Sequence, residues 1–145
     1  MKYTVDVIIN KDLESILDLF DNEANLYKWM EGLQKFEHIS GTPGAEGSQS
    51  KMYFKMGKRE FILLETIISK QLPGKFECAY DADGVRNVVI SRFIALTDHQ
   101  TQYISEQEFH FKGLMKFFSI FLKSAFKKQS LKYLLDFKKF AESKK

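Results

Sequence analysis

Apolar and polar residues alternate from the start of the chain. Tyr3, Val5, Val7 and Ile9 fall on one side of residues 3–9, the period of a half-buried strand. Asn10 and Asp12 then offer N-cap side chains, and behind them Leu13, Ile16, Leu17 and Phe20 recur at helical spacing. The spacing returns in Leu26, Trp29, Met30 and Leu33 after the polar break Asp21-Asn22-Glu23, which predicts two short helices joined at a tight corner. From residue 34 onward the pattern is that of strands, in segments 34–41, 48–57, 59–70, 74–82, 85–97 and 100–111. Gly44/Gly47, Gly57-Lys58, Pro73-Gly74, Asp83-Gly84 and Asp98-His99 separate them, with Asp83-Gly84 the sharpest hairpin signal. Connections this short join antiparallel neighbours, because parallel pairs need long crossovers.

Past Gly113, residues 114–142 contain neither Gly nor Pro, so one helix of about 43 Å is expected. One apolar stripe runs Met115, Phe118, Leu122, Phe126, Tyr133, Phe137, Phe140, and a second runs Leu114, Phe117, Phe121, Leu131, Leu135. Together they predict a broad apolar face laid against the concave side of the sheet. The fold class that follows is α+β. Seven antiparallel strands in meander order, counting the first, curve around a long C-terminal helix, and two short helices follow strand one. No linker or repeat divides the chain, so residues 1–145 are read as a single domain.

Composition narrows the function classes. A chain of 145 residues buries enough surface to fold without disulfides or a structural metal. The single cysteine, Cys78, excludes an internal disulfide and fits a reducing compartment. The N-terminus lacks a signal-peptide run and no stretch is long and apolar enough to span a membrane, so the expected location is cytoplasmic. A net charge of +3 does not by itself point to nucleic acid. Its excess lies in the last helix, where Lys123, Lys127, Lys128, Lys132, Lys138, Lys139, Lys144 and Lys145 are expected to solubilise a surface face. Fourteen Phe, six Tyr and a Trp form a heavy aromatic load, which has to line either a dense core or a cavity.

The order of elements is the helix-grip arrangement, and the chain resembles members of the START-like (SRPBCC) superfamily. That superfamily includes the birch-pollen-allergen proteins and the polyketide cyclase/dehydrase family. The resemblance is carried by Val5 to Asp12 followed by Leu17 and Phe20, by Leu26-Tyr27-Lys28-Trp29, and by the turn from Gly44 to Ser48. Glu65 with Leu72-Pro73-Gly74, and Thr101 opening the last strand, complete it. It implies an apolar cavity between sheet and helix that binds a lipid, polyketide or similar small molecule. It also leaves open a cyclase/dehydratase-type enzyme, or a protein-interaction module like the Hsp90-activator domains. It carries no shared catalytic motif, so no catalytic residue, cofactor or metal is assigned. The expected partner is a small apolar molecule bound by a monomer or weak homodimer.

On that architecture the ligand-binding candidates are Trp29, near the entrance, with Phe54, Phe61, Phe76, Tyr80, Tyr103, Ser105 and Phe109 from the strands. Met115, Phe118, Leu122 and Phe126 face them from the helix. In the last strand Tyr103, Ser105, Gln107 and Phe109 share the face expected to point inward, while Glu106, Glu108 and His110 share the wet face. Ser105 and Gln107 then pair with each other or with water, or orient a ligand. Gly41 to Ser48 lacks the lysine and following helix of a phosphate loop, and is expected to be a wide turn gating one end of the cavity. His38, His99 and His110 share no ligand spacing, and Cys78 between Phe76 and Tyr80 reads as apolar packing. Glu65 shares a face with Phe61, Leu63 and Ile67, and buried alone it would serve as an acid or base with Arg92 a possible partner. The preferred reading has both facing water.

Overall fold

The computed structural model describes the backbone of all 145 residues and every side chain except that of Phe118, a site candidate that therefore lies outside the described side chains. The elements follow in the order β1 (Lys2–Ile9), α1 (Leu13–Phe20), α2 (Glu23–Trp29), β2 (Leu33–Ser40), β3 (Gln49–Met56) and β4 (Arg59–Gln71). Then come β5 (Lys75–Ala82), β6 (Val85–Thr97), β7 (Gln100–Phe111) and α3 (Met115–Glu142). All pairings are antiparallel, and the expected α+β helix-grip architecture is present with strand ends displaced by a residue at most.

Local chemistry fixes these elements. Asp12 caps α1 by accepting from the Ser15 amide at 3.0 Å, and Asn22 caps α2 by accepting from Ala24 at 3.0 Å. Gly84, at φ +77°, supplies the left-handed residue of the β5–β6 turn. Register shifts at Ile67/Ser69 and Ala95/Thr97 place bulges in the 13-residue strands β4 and β6, where an extra residue bends the strand and deepens the curve.

The meander covers β2 to β7 only. The sheet order is β1-β7-β6-β5-β4-β3-β2, so β1 joins the far edge rather than lying beside β2. The α1–α2 pair carries the chain from one edge of the curved sheet to the other, which a tight turn could not span.

The second correction concerns α3. Its C-terminal half is seated on the sheet: Leu134, Phe137, Phe140 and Ala141 are buried with Val5, Val7, Ile9, Ile16, Phe93 and Tyr103 in the main core. Phe137 is fully buried and meets the rings of Trp29 at 5.0 Å, Phe20 at 5.7 Å and Tyr103 at 5.7 Å. The second apolar stripe does not join this face. Leu114, Phe117 and Phe121 are 76%, 71% and 81% exposed, and Leu131 and Leu135 also reach solvent. A helix presents one side to a sheet, and with Phe137 inward that stripe lies on the opposite side. A smaller cluster of Leu33, Met52 and Phe54 closes the other end of the sheet.

Candidate functional site

Strand register builds the wall between the two apolar clusters. Antiparallel partners point to the same face of a sheet. The pairs Ser50↔Glu65, Glu65↔Tyr80, Tyr80↔Asn87 and Asn87↔Phe109 therefore lay one row across the concave side. The next row is Ile67, Cys78, Val89 and Gln107, and beyond it come Phe76, Ser91 and Ser105. Phe126, Ser130, Tyr133 and Leu134 of α3 face these rows, with Phe20 and Trp29 at the core end. Between them is a cavity of about 410 Å³. Its exposed lining residues include Asp21, Asn22, Glu23, His38, Pro43 and Gly44, so its mouth opens between the α1–α2 corner and the β2–β3 loop.

Lys70 ties the two lips of that mouth together. Its Nζ donates to Asp21 Oδ1 at 2.9 Å and to the Gly44 carbonyl at 2.7 Å, while its backbone N–H donates to Glu46 Oε1 at 2.9 Å. The 41–48 segment is thus a turn at the cavity mouth, and Gly47 N–H anchors it to the Ile67 carbonyl at 2.7 Å.

Eight of the sequence-derived candidates border the cavity: Trp29, Phe54, Phe76, Tyr80, Tyr103, Ser105, Phe109 and Phe126. Three do not. Phe61 stacks on Phe54 at 5.2 Å beyond the lining, Met115 reaches the β5–β6 turn at Gly84, and the half-buried Leu122 stays outside the lining. Trp29 is buried against Phe137 rather than standing at the entrance. Phe20, read from the sequence only as part of the apolar face of the first short helix, is the ring on which Trp29, Phe76, Phe93, Tyr103 and Phe137 converge.

The register expected for β7 holds. Tyr103, Ser105 and Gln107 are buried, whereas Glu106 pairs with Arg92 and Glu108 with Lys2 and His110 on the convex side. Inside, Gln107 Nε2 donates to Ser105 Oγ at 2.8 Å and Gln107 Oε1 accepts from Asn87 Nδ2 at 3.0 Å. Of the roles open to Ser105 and Gln107, mutual pairing is the one observed, and it keeps the pair from standing unsatisfied in apolar surroundings. Neither Asn87 nor Ser91 was identified, because a polar residue on a strand gives no sign of which face it takes until register is known.

Glu65 departs from expectation. It lies in the cavity wall, while Arg92 is on the opposite face with Glu106 and the Gly74 carbonyl. No ion pair to Glu65 occurs among the described residues. Burial raises its carboxyl above the ordinary value of 4.5; the Tyr80 hydroxyl opposes that shift and the Glu23 carboxylate adds to it. Burial also pushes Tyr80 well up and Tyr103 to about 12, so both phenols stay protonated donors. Cys78 is buried, and desolvation holds its thiol far above the usual range, which suits packing rather than nucleophilic chemistry. The Trp29 Nε1–H is buried with no hydrogen-bond partner, alone in this among the described side chains. No group of three or more His, Cys, Asp or Glu among the described residues is placed to hold a metal.

No family model matches the chain, and no curated protein matches it in sequence. Solved structures do match in shape. Ara h 8.0201 superposes with a TM-score of 0.78 at 12% identity, over 99% of each chain. The ZhuI aromatase/cyclase from a Streptomyces species gives 0.80 at 10% identity, over 98% of this chain and 93% of that one. Norcoclaurine synthase from Thalictrum flavum, in complex with dopamine and hydroxybenzaldehyde, gives 0.75 at 14% identity, over 100% of this chain and 88% of that one. Identities this low speak for architecture alone. The chain shares the helix-grip fold of these proteins.

Proposed function

We propose that this chain binds and carries a small, largely apolar molecule with an aromatic or polyketide-like body and one oxygen-bearing end. The observation that carries this reading is the cavity, about 410 Å³, mostly apolar and crossed by a row of polar groups. Aromatic rings at the core end suit the body of such a ligand. Glu65 in its proton-bearing form, Tyr80 and the unpartnered Trp29 N–H are all donors, and an oxygen acceptor on the ligand would satisfy one or more of them. Among the solved relatives in shape, the complex of norcoclaurine synthase with hydroxybenzaldehyde shows this fold holding an aromatic aldehyde. Native mass spectrometry of freshly purified protein, with titration of the dye ANS, tests the proposal. A copurifying or displacing apolar molecule is expected, and a protein that arrives empty and binds no apolar probe would refute it.

A second reading, a reaction of cyclase or dehydratase type, has one observation in its favour. A buried carboxyl beside Tyr80, its proton held more tightly than usual by desolvation, is suited to give that proton to a carbonyl oxygen. Glu65→Gln and Tyr80→Phe would then abolish turnover of a bound polyketide-like substrate while leaving its binding in place. A carrier would show no turnover in either the wild type or the variants. A protein-interaction module lacks comparable support, because the interior is not closed.

A further inference from the structure

The geometry points to the N-terminal half of α3 as a docking surface for an anionic lipid bilayer, an inference about the outside of the molecule that stands apart from the cavity's ligand. Leu114, Phe117, Ile120 and Phe121 are 76%, 71%, 80% and 81% exposed. Large aromatic and aliphatic side chains left this open, side by side on one helix, form the kind of patch that soluble proteins seldom expose without a use. They project from a convex helix and not from a groove, so there is no pocket here to receive a peptide.

Charge identifies the partner. Between Glu108 and Asp136 the sequence contains no acidic residue, but it contains six lysines. Lys132 is engaged by Glu31 and Asp136; Lys112, Lys116, Lys123, Lys127 and Lys128 join no ion pair among the described residues. The neighbouring β5–β6 turn adds a single carboxylate, Asp83, because Asp81 is taken by Arg86. Phe and Ile flanked by free lysines is the chemistry of a helix that lies in the headgroup layer, rings entering the acyl boundary and ammonium groups meeting phosphates. A second copy is the poorer occupant, since two such helices face to face would bring lysine against lysine. The surface rests on a bilayer and does not cross it: no helix among the described residues is long and apolar enough to span one.

The test is sedimentation with large vesicles of phosphatidylcholine alone, or with 30% phosphatidylglycerol, at about 0.1 M salt. Binding is expected to the anionic vesicles only, and to weaken steeply with added salt. The double variant Phe117→Ser/Phe121→Ser should lose at least tenfold in partition, and Lys123→Gln/Lys127→Gln roughly 25-fold, from about fivefold per lysine. Both should leave the thermal midpoint near that of the wild type, because these chains are exposed, and that control separates lost docking from lost folding. The inference falls if anionic vesicles do not retain the wild type, or if retention survives the Phe117/Phe121 change. It also falls if light scattering shows a dimer that the same change dissolves while vesicles go unbound, for the face would then belong to self-association. Copurification of an apolar cavity ligand bears on the carrier reading alone, so the two can fail separately.

Discussion

Two phenylalanines on the same helix, one packed in the core and one bordering the cavity, should respond differently to truncation. Phe137 is 0% exposed, is held among Phe20, Trp29, Tyr103 and Phe140, and takes no part in the cavity lining. Phe137→Ala loses its transfer free energy and leaves a hole that its rigid aromatic neighbours cannot fill, which puts the cost at about 3–5 kcal/mol. Phe126 is half-buried, stacks on Phe109 at 5.0 Å and Phe111 at 5.9 Å, and borders the cavity. Its truncation widens an existing void, so mainly the transfer term for the buried part remains, about 1–2 kcal/mol. For a chain of this size 1 kcal/mol moves the thermal midpoint by roughly 3 °C, giving falls of ~10–15 °C and ~3–6 °C. Calorimetry with urea melts at fixed pH measures both. ANS titration should register Phe126→Ala as a changed affinity and Phe137→Ala as little change under conditions where it stays folded. Equal losses from the two truncations, with no change in dye binding for Phe126→Ala, would mean that the space beside Phe126 is packed like the core, and the cavity argument would collapse.

Glu65 gives a pH signature: above the ordinary carboxylate value of 4.5 the unfolded chain sheds its proton while the folded one retains it, so wild-type stability should decline as pH rises until the folded group titrates. Glu65→Gln should remove that decline, and urea midpoints of the two proteins that run parallel from pH 4 to 8 would contradict it. Lys70→Met cuts both bonds across the mouth, and stopped-flow dye binding should show association and dissociation accelerated together, with stability changed by less than about 1 kcal/mol; unchanged rates would rule out a latch. Cys78 should react with Ellman's reagent only in denaturant, and full labelling of native protein within minutes would show that the strand face it packs on is open.

The fold was legible because period two, helical spacing and turn chemistry agree along the chain, from Val5-Asp6-Val7 through Asp83-Gly84 to the unbroken 114–142. Sheet order was less so. Nothing in residues 3–9 distinguishes β2 from β7 as a neighbour, since pairing partners are decided by where α1 and α2 deliver the chain. The β7 face was readable from its aromatics, Tyr103 and Phe109, but the inward turn of Glu65 was not. A carboxylate on an otherwise apolar strand face ordinarily signals water, and only the pairing of Glu65 with Tyr80 and Ser50 reveals otherwise. The two stripes of α3 were correctly seen as apolar and wrongly merged into one face, because a one-dimensional pattern cannot tell a buried stripe from an exposed one.

The position of β1 has a consequence for how the protein is made. Strands β2 to β7 pair with sequence neighbours and can zip up hairpin by hairpin as they leave the ribosome. β1, which precedes all of them in the chain, finds its partner only when residues 101–108 appear, with Val5 opposite Ser105 and Val7 opposite Tyr103. Its other covering, the C-terminal half of α3, comes later still, with Lys138 Nζ donating to the Ile8 carbonyl at 2.7 Å. Until residues 101–108 have emerged, Tyr3, Val5, Val7 and Ile9 therefore form an unpaired strand with a bare greasy edge, as open to a chaperone as to another nascent chain.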